Sequence, residues 1–247
     1  MNDKTWILLV CVFFMLLSSG QSDTTSGLLA YYSFSGNAQD MSGQGHHGTV
    51  NGADLTTDRF GNANSAYYFN GSGDIILIGS NFISPTAITL SAWIKKSGSY
   101  SSWNDIIAGN NGSPIFGINP SNQLAFGCQS NSPIQHLGSA TISDVQWHHV
   151  AATYNGSWVK VYLDGALVDS RSASGSFNTS NVLGIGGDPS RTSEFFSGLI
   201  DDVRIYNRAL ADSDVLQLTN ETSVPENSTF LLAAIGIVLF YALKKNQ

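Results

Sequence analysis

Residues 147–170 constrain the fold of this chain most strongly, because they read as three strands joined by two tight turns. The turns are Asn155-Gly156 and Asp164-Gly165, and both dipeptides favour the positive φ angles of primed hairpin turns. The middle strand is predicted to turn one apolar face inward, formed by Val159, Val161 and Leu163. Burying such a face gains roughly 25 cal/mol per Å², and a second sheet is needed to cover several strands. The segment therefore predicts a sandwich of two antiparallel sheets.

The rest of the central region repeats this pattern of short apolar runs separated by Gly, Asn, Asp and Ser. The clearest predicted strands are residues 28–34, 66–69, 75–78 and 88–94. In the last of them one face carries Ile88, Leu90, Ala92 and Ile94. Residues 212–218 are the single predicted helix, with an acidic first turn that suits its dipole. Charged residues are only 12% of the chain, which excludes long charged helices and coiled coils and favours an all-β fold.

Charge and cysteine content exclude several classes of protein. The formal net charge of -7 repels phosphate, so we expect no nucleic-acid partner. Cys11 lies in an apolar N-terminal run, so the mature domain contains no second cysteine with which Cys128 could form a disulfide. A disulfide scaffold and a cysteine-ligated zinc site are therefore excluded.

The N-terminus has the pattern of a secretory signal. Lys4 precedes an apolar run at residues 6–17, and small residues follow it. That run is too short to cross a hydrocarbon layer of ~30 Å. Residues 1–20 are therefore predicted to be a signal peptide, and the chain is expected to be exported.

A second apolar run, residues 230–243, precedes Lys244 and Lys245 near the C-terminus. As a helix it measures about 21 Å, which is short for a membrane span unless lysines snorkel and the bilayer thins. We predict a transmembrane segment at 230–243 and a cytoplasmic basic tail at 244–247, with the domain outside. The alternative is a buried C-terminal helix, although the run has no polar side from which an amphipathic face could be built.

The C-terminal region resembles the PEP-CTERM sorting signal of Gram-negative bacteria. The resemblance rests on Pro225 and Glu226 in the linker at 221–229, followed by the apolar run and the lysine pair. It implies a bacterial source and processing by an exosortase. The protein would first be membrane-anchored and then periplasmic, cell-surface or extracellular. Asn227 stands where the family has a second proline.

The central region is similar to the laminin-G-like, concanavalin A-like jelly rolls of bacteria. Five blocks occur in family order, at residues 36–45, 91–94, 147–151, 161–165 and 198–210. The resemblance covers residues 26–220 and implies a two-sheet antiparallel jelly-roll sandwich. Ala211 stands where the family more often has a serine cap, so the final helix is expected to begin less firmly.

Catalytic residues are sparse in this domain. Glycoside hydrolysis generally uses two carboxyl groups ~5 to 9.5 Å apart, and Glu194 is the single glutamate between residues 26 and 220. Asp201 and Asp202 are neighbours on a predicted strand and should face opposite sides of the sheet. The same holds for His148 and His149, which we interpret as structural. The sequence therefore predicts a protein that is not an enzyme.

A calcium site is predicted from the glycine-rich loop after the first strand. Asn37 and Asp40 offer the oxygen ligands that Ca²⁺ prefers. The jelly-roll resemblance places the first and last long strands side by side, so Asp202 would complete the site. The alternative is that Asp40 forms an Asx-turn and that Asp202 pairs with Arg204.

Three aromatic residues are candidates for ligand binding. Tyr100 and Trp103 lie in the polar loop at 97–105, and Trp158 lies near a hairpin tip. Exposed flat rings suit stacking against sugars, whereas packing on the rim of the sandwich is the alternative. We therefore predict a non-enzymatic, exported carbohydrate-binding or adhesion module of the bacterial surface or biofilm matrix, with a polysaccharide or glycoconjugate partner. The alternatives are a polysaccharide-cleaving hydrolase or lyase that uses Asp and His, and a purely structural matrix protein.

Overall fold

The computed structural model describes residues 23–128 and 137–221. The predicted signal peptide, sorting motif, transmembrane segment and basic tail all lie outside these residues. Among the described residues, no helix has both the length and the apolar character to cross a membrane.

The described residues form fifteen strands and one helix. In chain order they are β1 (Leu28–Tyr32), β2 (Thr49–Asn51), β3 (Asp54–Thr56), β4 (Ala66–Asn70), β5 (Ile75–Leu77), β6 (Ile88–Lys96), β7 (Asn104–Gly109), β8 (Ile115–Ile118), β9 (Gln123–Gly127), β10 (Leu137–Thr141), β11 (His148–Tyr154), β12 (Trp158–Leu163), β13 (Ala166–Ser172), β14 (Leu183–Ile185), β15 (Ser197–Tyr206) and α1 (Asp212–Thr219).

The strands form two antiparallel sheets. The 8-stranded sheet has the order β13-β12-β11-β6-β15-β4-β3, and β1 also pairs with β15. The 7-stranded sheet has the order β10-β9-β8-β7-β14-β5-β2. Strand β15 is central, because β6 lies along one of its sides while β4 and β1 share the other. The predicted all-β sandwich of two antiparallel sheets is confirmed.

The core lies between the two sheets. The predicted apolar face of β6 is fully or almost fully buried there, as are Val159 and Val161 of β12. The opposite sheet contributes large rings, and those of Phe116 and Phe126 meet edge to face with centroids 6.2 Å apart. The period-two alternation in the sequence therefore identified which face of each strand packs between the two sheets.

The two predicted hairpin turns differ in the structure. Asp164 and Gly165 have φ angles of 51° and 77°, as a primed two-residue turn requires. The first turn is longer than predicted, because β11 ends at Tyr154 and β12 begins only at Trp158. There the side-chain oxygen of Asn155 accepts the backbone N–H groups of Ser157 at 3.0 Å and Trp158 at 2.8 Å. This Asx-turn replaces the predicted primed turn.

Helix α1 covers part of the outer face of the 8-stranded sheet. Its Val215 and Leu218 belong to a small apolar cluster with Tyr162 and Tyr206 of that sheet. Ala211 supplies no capping side chain, but Asp214 accepts its backbone N–H at 3.3 Å. The helix therefore begins at Asp212 as predicted and ends one residue later than predicted.

Candidate functional site

An open groove of about 310 Å³ lies on the outer side of the 8-stranded sheet, beside the β11–β12 hairpin. The hairpin contributes one wall and the segment that leads into α1 contributes the other. Its lining residues are Thr153, Asn155, Trp158, Lys160 and residues 208–212. The groove is open and has more apolar than polar surface, with a single large aromatic side chain.

Trp158 is the prominent side chain of this groove. The Asx-turn of Asn155 fixes its backbone at the first position of β12, where it pairs with Ser172 of β13. Because Val159 points into the core, the strand alternation turns Trp158 and Lys160 outward. The residue keeps 50% exposure to solvent, so an indole face is available for stacking.

Each charged group of the groove has a partner of opposite charge. Asp212 accepts hydrogen bonds from Lys160 at 2.7 Å and from the Tyr162 hydroxyl at 2.8 Å, which hold the pKa of Asp212 below its usual value. Arg208 donates to the Ser26 carbonyl at 2.8 Å and to Asp214 at 3.0 Å. A ligand here would therefore meet polar groups whose charges are already compensated.

The three predicted aromatic residues do not form one site. Tyr154, at the base of the Trp158 hairpin, pairs with Ile88 at one end of β6, while Tyr100 follows Lys96 at the other end. The length of that strand, about 26 Å, separates the two positions.

Tyr100 packs on the sandwich, which is the alternative that the sequence left open. It is only 8% exposed, its hydroxyl donates to the Ser197 carbonyl, and its ring meets Phe196 edge to face with centroids 6.1 Å apart. Trp103 is half-buried. Trp158 is therefore the most exposed of the three candidates.

The oxygens of the predicted calcium ligands accept hydrogen bonds. Asp40 accepts backbone N–H groups from Tyr31 at 3.0 Å, Ser42 at 2.8 Å and His46 at 2.9 Å. Burial alone would raise the pKa of Asp40, but these hydrogen bonds together hold it below its usual value. Asn37 accepts the N–H of Gln39 at 2.8 Å. Asp40 thus has the contacts of an Asx-turn.

Asp202 lies on the far side of Tyr31 from Asp40. It accepts the Tyr31 hydroxyl at 2.7 Å and pairs with Arg59 at 2.6 Å and Arg204 at 4.0 Å. Across residues 23–128 and 137–221, no three His, Cys, Asp or Glu residues come close enough to hold a metal ion. Calcium binding by Asn37, Asp40 and Asp202 stays a prediction. A melting temperature that falls when a chelator is added would support it.

The prediction that Asp201 and Asp202 face opposite sides is wrong. Arg59 contacts both carboxylates, each at 2.6 Å. A bulge in β15 and a φ of 47° at Asp202 interrupt the strand alternation and turn both side chains the same way. Burial and the Asp202 charge raise the pKa of Asp201 to about 8. The pair lies beneath Arg59, away from the groove.

The two histidines face opposite sides of the sheet, as predicted. His149 is buried, with Nε2 2.9 Å from the Ser91 hydroxyl and Nδ1 3.0 Å from the Thr219 hydroxyl. Burial lowers the pKa of His149 to about 3, so the ring is neutral at physiological pH. His148 lies between Asp144 and Asp164, at 2.9 and 2.8 Å. Both rings have structural partners.

Fold and groove together define a jelly-roll sandwich with a shallow aromatic site on its outer surface. Residues 69–216 match the family model Laminin_G_3, described as the concanavalin A-like lectin/glucanases superfamily. Since this match covers more than half of the chain, the protein belongs to that family. A comparison with curated proteins finds no match.

Solved structures with a similar fold include one domain of an arabinanase and two toxin binding domains. One is domain 4 of AbnA, a GH43 extracellular arabinanase from Geobacillus stearothermophilus, in complex with arabinotriose. Its sequence is 23% identical to this chain and the TM-score is 0.60. The match covers 78% of this chain and 98% of that domain. The binding domain of Paraclostridial Mosquitocidal Protein 1 is 18% identical with a TM-score of 0.61, over 80% of this chain and 53% of that one.

The third is the binding domain of botulinum neurotoxin DC in complex with SialylT, which is 17% identical with a TM-score of 0.62. That match covers 80% of this chain and 52% of the toxin domain, so this chain spans about half the length of either toxin domain. At these identities the likeness shows a common fold.

Proposed function

We propose that this protein is a non-enzymatic carbohydrate-binding module whose groove at Trp158 takes a polysaccharide. The observation that carries the proposal is the half-exposed indole of Trp158 on the wall of an open groove that also contains polar side chains. Family membership supports it, as do the similar folds whose structures contain arabinotriose or SialylT.

The groove favours an uncharged sugar. The apolar C–H face of a sugar ring would stack on the indole, while its hydroxyl groups would hydrogen-bond to Asn155 and Asp212. Lys160 and Arg208 already have oxygen partners, so neither offers an unpaired charge to an acidic sugar. A neutral polysaccharide therefore fits the groove better than an anionic one.

Replacing Trp158 with alanine should weaken polysaccharide binding about tenfold or more, equivalent to ~1.4 kcal/mol, through loss of the stacking surface. A glycan array would identify the ligand, and isothermal titration would measure the change in affinity. Tyr68→Ala is the matched control, since Tyr68 is 41% exposed on β4. Equal binding by the Trp158→Ala variant and the native chain would contradict the proposal.

We expect no release of reducing sugar from a panel of polysaccharides. The close carboxylates of Asp201 and Asp202 are covered by Arg59, with side-chain exposures of 3% and 13%. A polysaccharide has no open approach to them. Release of reducing ends that disappears in an Asp201→Asn variant would instead support the hydrolase or lyase alternative.

We further propose that the module is exported and reaches the bacterial surface or biofilm matrix through the segments at 1–20 and 230–243. Pro225 and Glu226 would direct an exosortase to the tail. Mass measurement of the mature protein from its native envelope tests this proposal. Removal of the signal peptide and cleavage of the tail by an exosortase would each lower the mass by a predictable amount. If the protein bound no glycan on an array but still bound whole cells, the alternative of a purely structural matrix protein would be favoured.

A further inference from the structure

Strand β13 forms one edge of the 8-stranded sheet. Among the described strands its one neighbour is β12. Six of its 7 residues are exposed, and they include Leu167 at 44% and Val168 at 37%. An exposed edge presents backbone N–H and C=O groups that can pair with another strand.

The charges of β13 are self-complementary about Ser170. Asp169 and Arg171 lie on one side of the strand, with Arg171 Nε 3.2 Å from Asp169 within the chain. In an antiparallel pair of two β13 strands centred on Ser170, each Asp169 lies opposite the Arg171 of the other copy. A centre at Asp169 or at Arg171 would instead place like charges opposite each other, which is unfavourable. The charges therefore select one register.

We propose that two copies of this chain associate through β13, in an antiparallel pair centred on Ser170, to form a two-fold dimer with a continuous sheet. The bulge opposite Val161 and Tyr162 precedes this centre, so the regular part of β13 carries the pairing. A single strand pair is smaller than a standard interface of ~1,600 Å², and the dimer therefore dissociates on dilution.

The dimer places two ligand grooves on one surface. Trp158 pairs with Ser172, so it lies one strand inside the interface and on the outer face of the sheet. The two-fold axis is perpendicular to the sheet, which puts both Trp158 residues on the same face. Strand spacing and rise give a separation of about 20 Å between their Cα atoms. On the proposed function, one polysaccharide can then occupy both grooves and gain avidity.

Charge exchange tests the dimer without any ligand. Sedimentation velocity of the full chain in mild detergent, from about 5 to 500 µM, should show a concentration-dependent dimer that dissociates on dilution. Asp169→Arg and Arg171→Asp each place like charges across the interface and should be monomeric. A mixture of these two variants should form a heterodimer, and the double exchange D169R/R171D should restore the homodimer.

Two results would overturn the dimer. The first is a native chain that stays monomeric over the whole concentration range. The second is a dimer that persists in all three charge variants, which would indicate association through another segment such as residues 230–243. Circular dichroism of each variant excludes misfolding as the cause of a monomer. Polysaccharide affinity separates the two proposals. The single-charge variants should bind a long polymer at least tenfold more weakly than the native chain and should bind a short oligosaccharide with unchanged affinity. Trp158→Ala should lose binding to both. An equal affinity of native and single-charge variants for the polymer would refute the bivalent arrangement alone.

Discussion

Replacing Arg59 with alanine is expected to destabilise the fold by about 3–5 kcal/mol, the usual cost of removing one partner from a buried ion pair. Arg59 is the common partner of Asp201 and Asp202, and its own side chain is only 6% exposed. It also lies over the rings of Phe60 and Trp93, at 4.3 and 4.6 Å from their centroids. Its loss leaves the buried carboxyl of Asp201 without its cation and leaves Asp202 with the more distant Arg204, at 4.0 Å. Urea unfolding measures the change.

The effect of Arg59→Ala should increase with pH. The guanidinium opposes the rise in the pKa of Asp201 that burial and the Asp202 charge cause, so its removal raises that pKa further in the folded state. The folded variant then binds more protons and loses stability as pH rises. Asp201→Asn in the Arg59→Ala background is the control, because one carboxylate then remains in place of two. We expect this second substitution to recover part of the loss, and a purely additive double-mutant cycle would contradict the account.

Replacing Asp105 with asparagine is expected to stabilise the protein at pH 7 by about 1–3 kcal/mol, the usual size of an effect that involves a buried polar group without a hydrogen-bond partner. Asp105 is fully buried, and within the described residues neither of its carboxyl oxygens has a hydrogen-bond partner. Burial first, and then the charges of Glu194 and Asp188, raise the pKa of Asp105 well above its usual value, with Arg191 opposing them. The neutral amide removes that cost.

The pH dependence identifies the cause of this effect. Because the folded-state pKa of Asp105 is raised above that of the unfolded chain, the native protein loses stability as pH rises from about 4 through the folded-state value. Asp105→Asn should remove this loss, so the two stability curves should converge at low pH and diverge above it. Asp54→Asn, at an exposed position of β3, should change stability by less than about 0.5 kcal/mol. Parallel curves for Asp105→Asn and the native protein would contradict the prediction.

The parts of the fold that follow local rules could be predicted from the sequence. The alternation in β6 and β12 identified the face that each strand turns toward the opposite sheet, because side chains of a strand point alternately to its two sides. Asp164-Gly165 specified its turn, because both residues tolerate positive φ. The acidic first turn placed the start of α1 correctly even though Ala211 provides no cap.

The site could be predicted only in part, because its geometry depends on contacts between distant segments. Nothing in the pair Asp201-Asp202 signals the bulge that turns both side chains toward Arg59, about 140 residues earlier in the chain. Trp158 was one of three aromatic candidates, and the packing of Tyr100 on Phe196 distinguishes them only once the fold is formed. Likewise, Lys160 and Asp212 line one groove because α1 folds back over the sheet.

Arg208 and Tyr206 hold residues 23–26 against the segment that leads into α1. The Arg208 guanidinium binds the carbonyls of Asp23 and Ser26 and the carboxylate of Asp214, and the Tyr206 hydroxyl donates to the Thr24 carbonyl at 3.0 Å. The polypeptide thus enters and leaves on the same side of the sandwich. Tension applied between the two ends would therefore load the Arg208 and Tyr206 contacts first, and only their rupture would pass the force on to the pairing of β1 with β15.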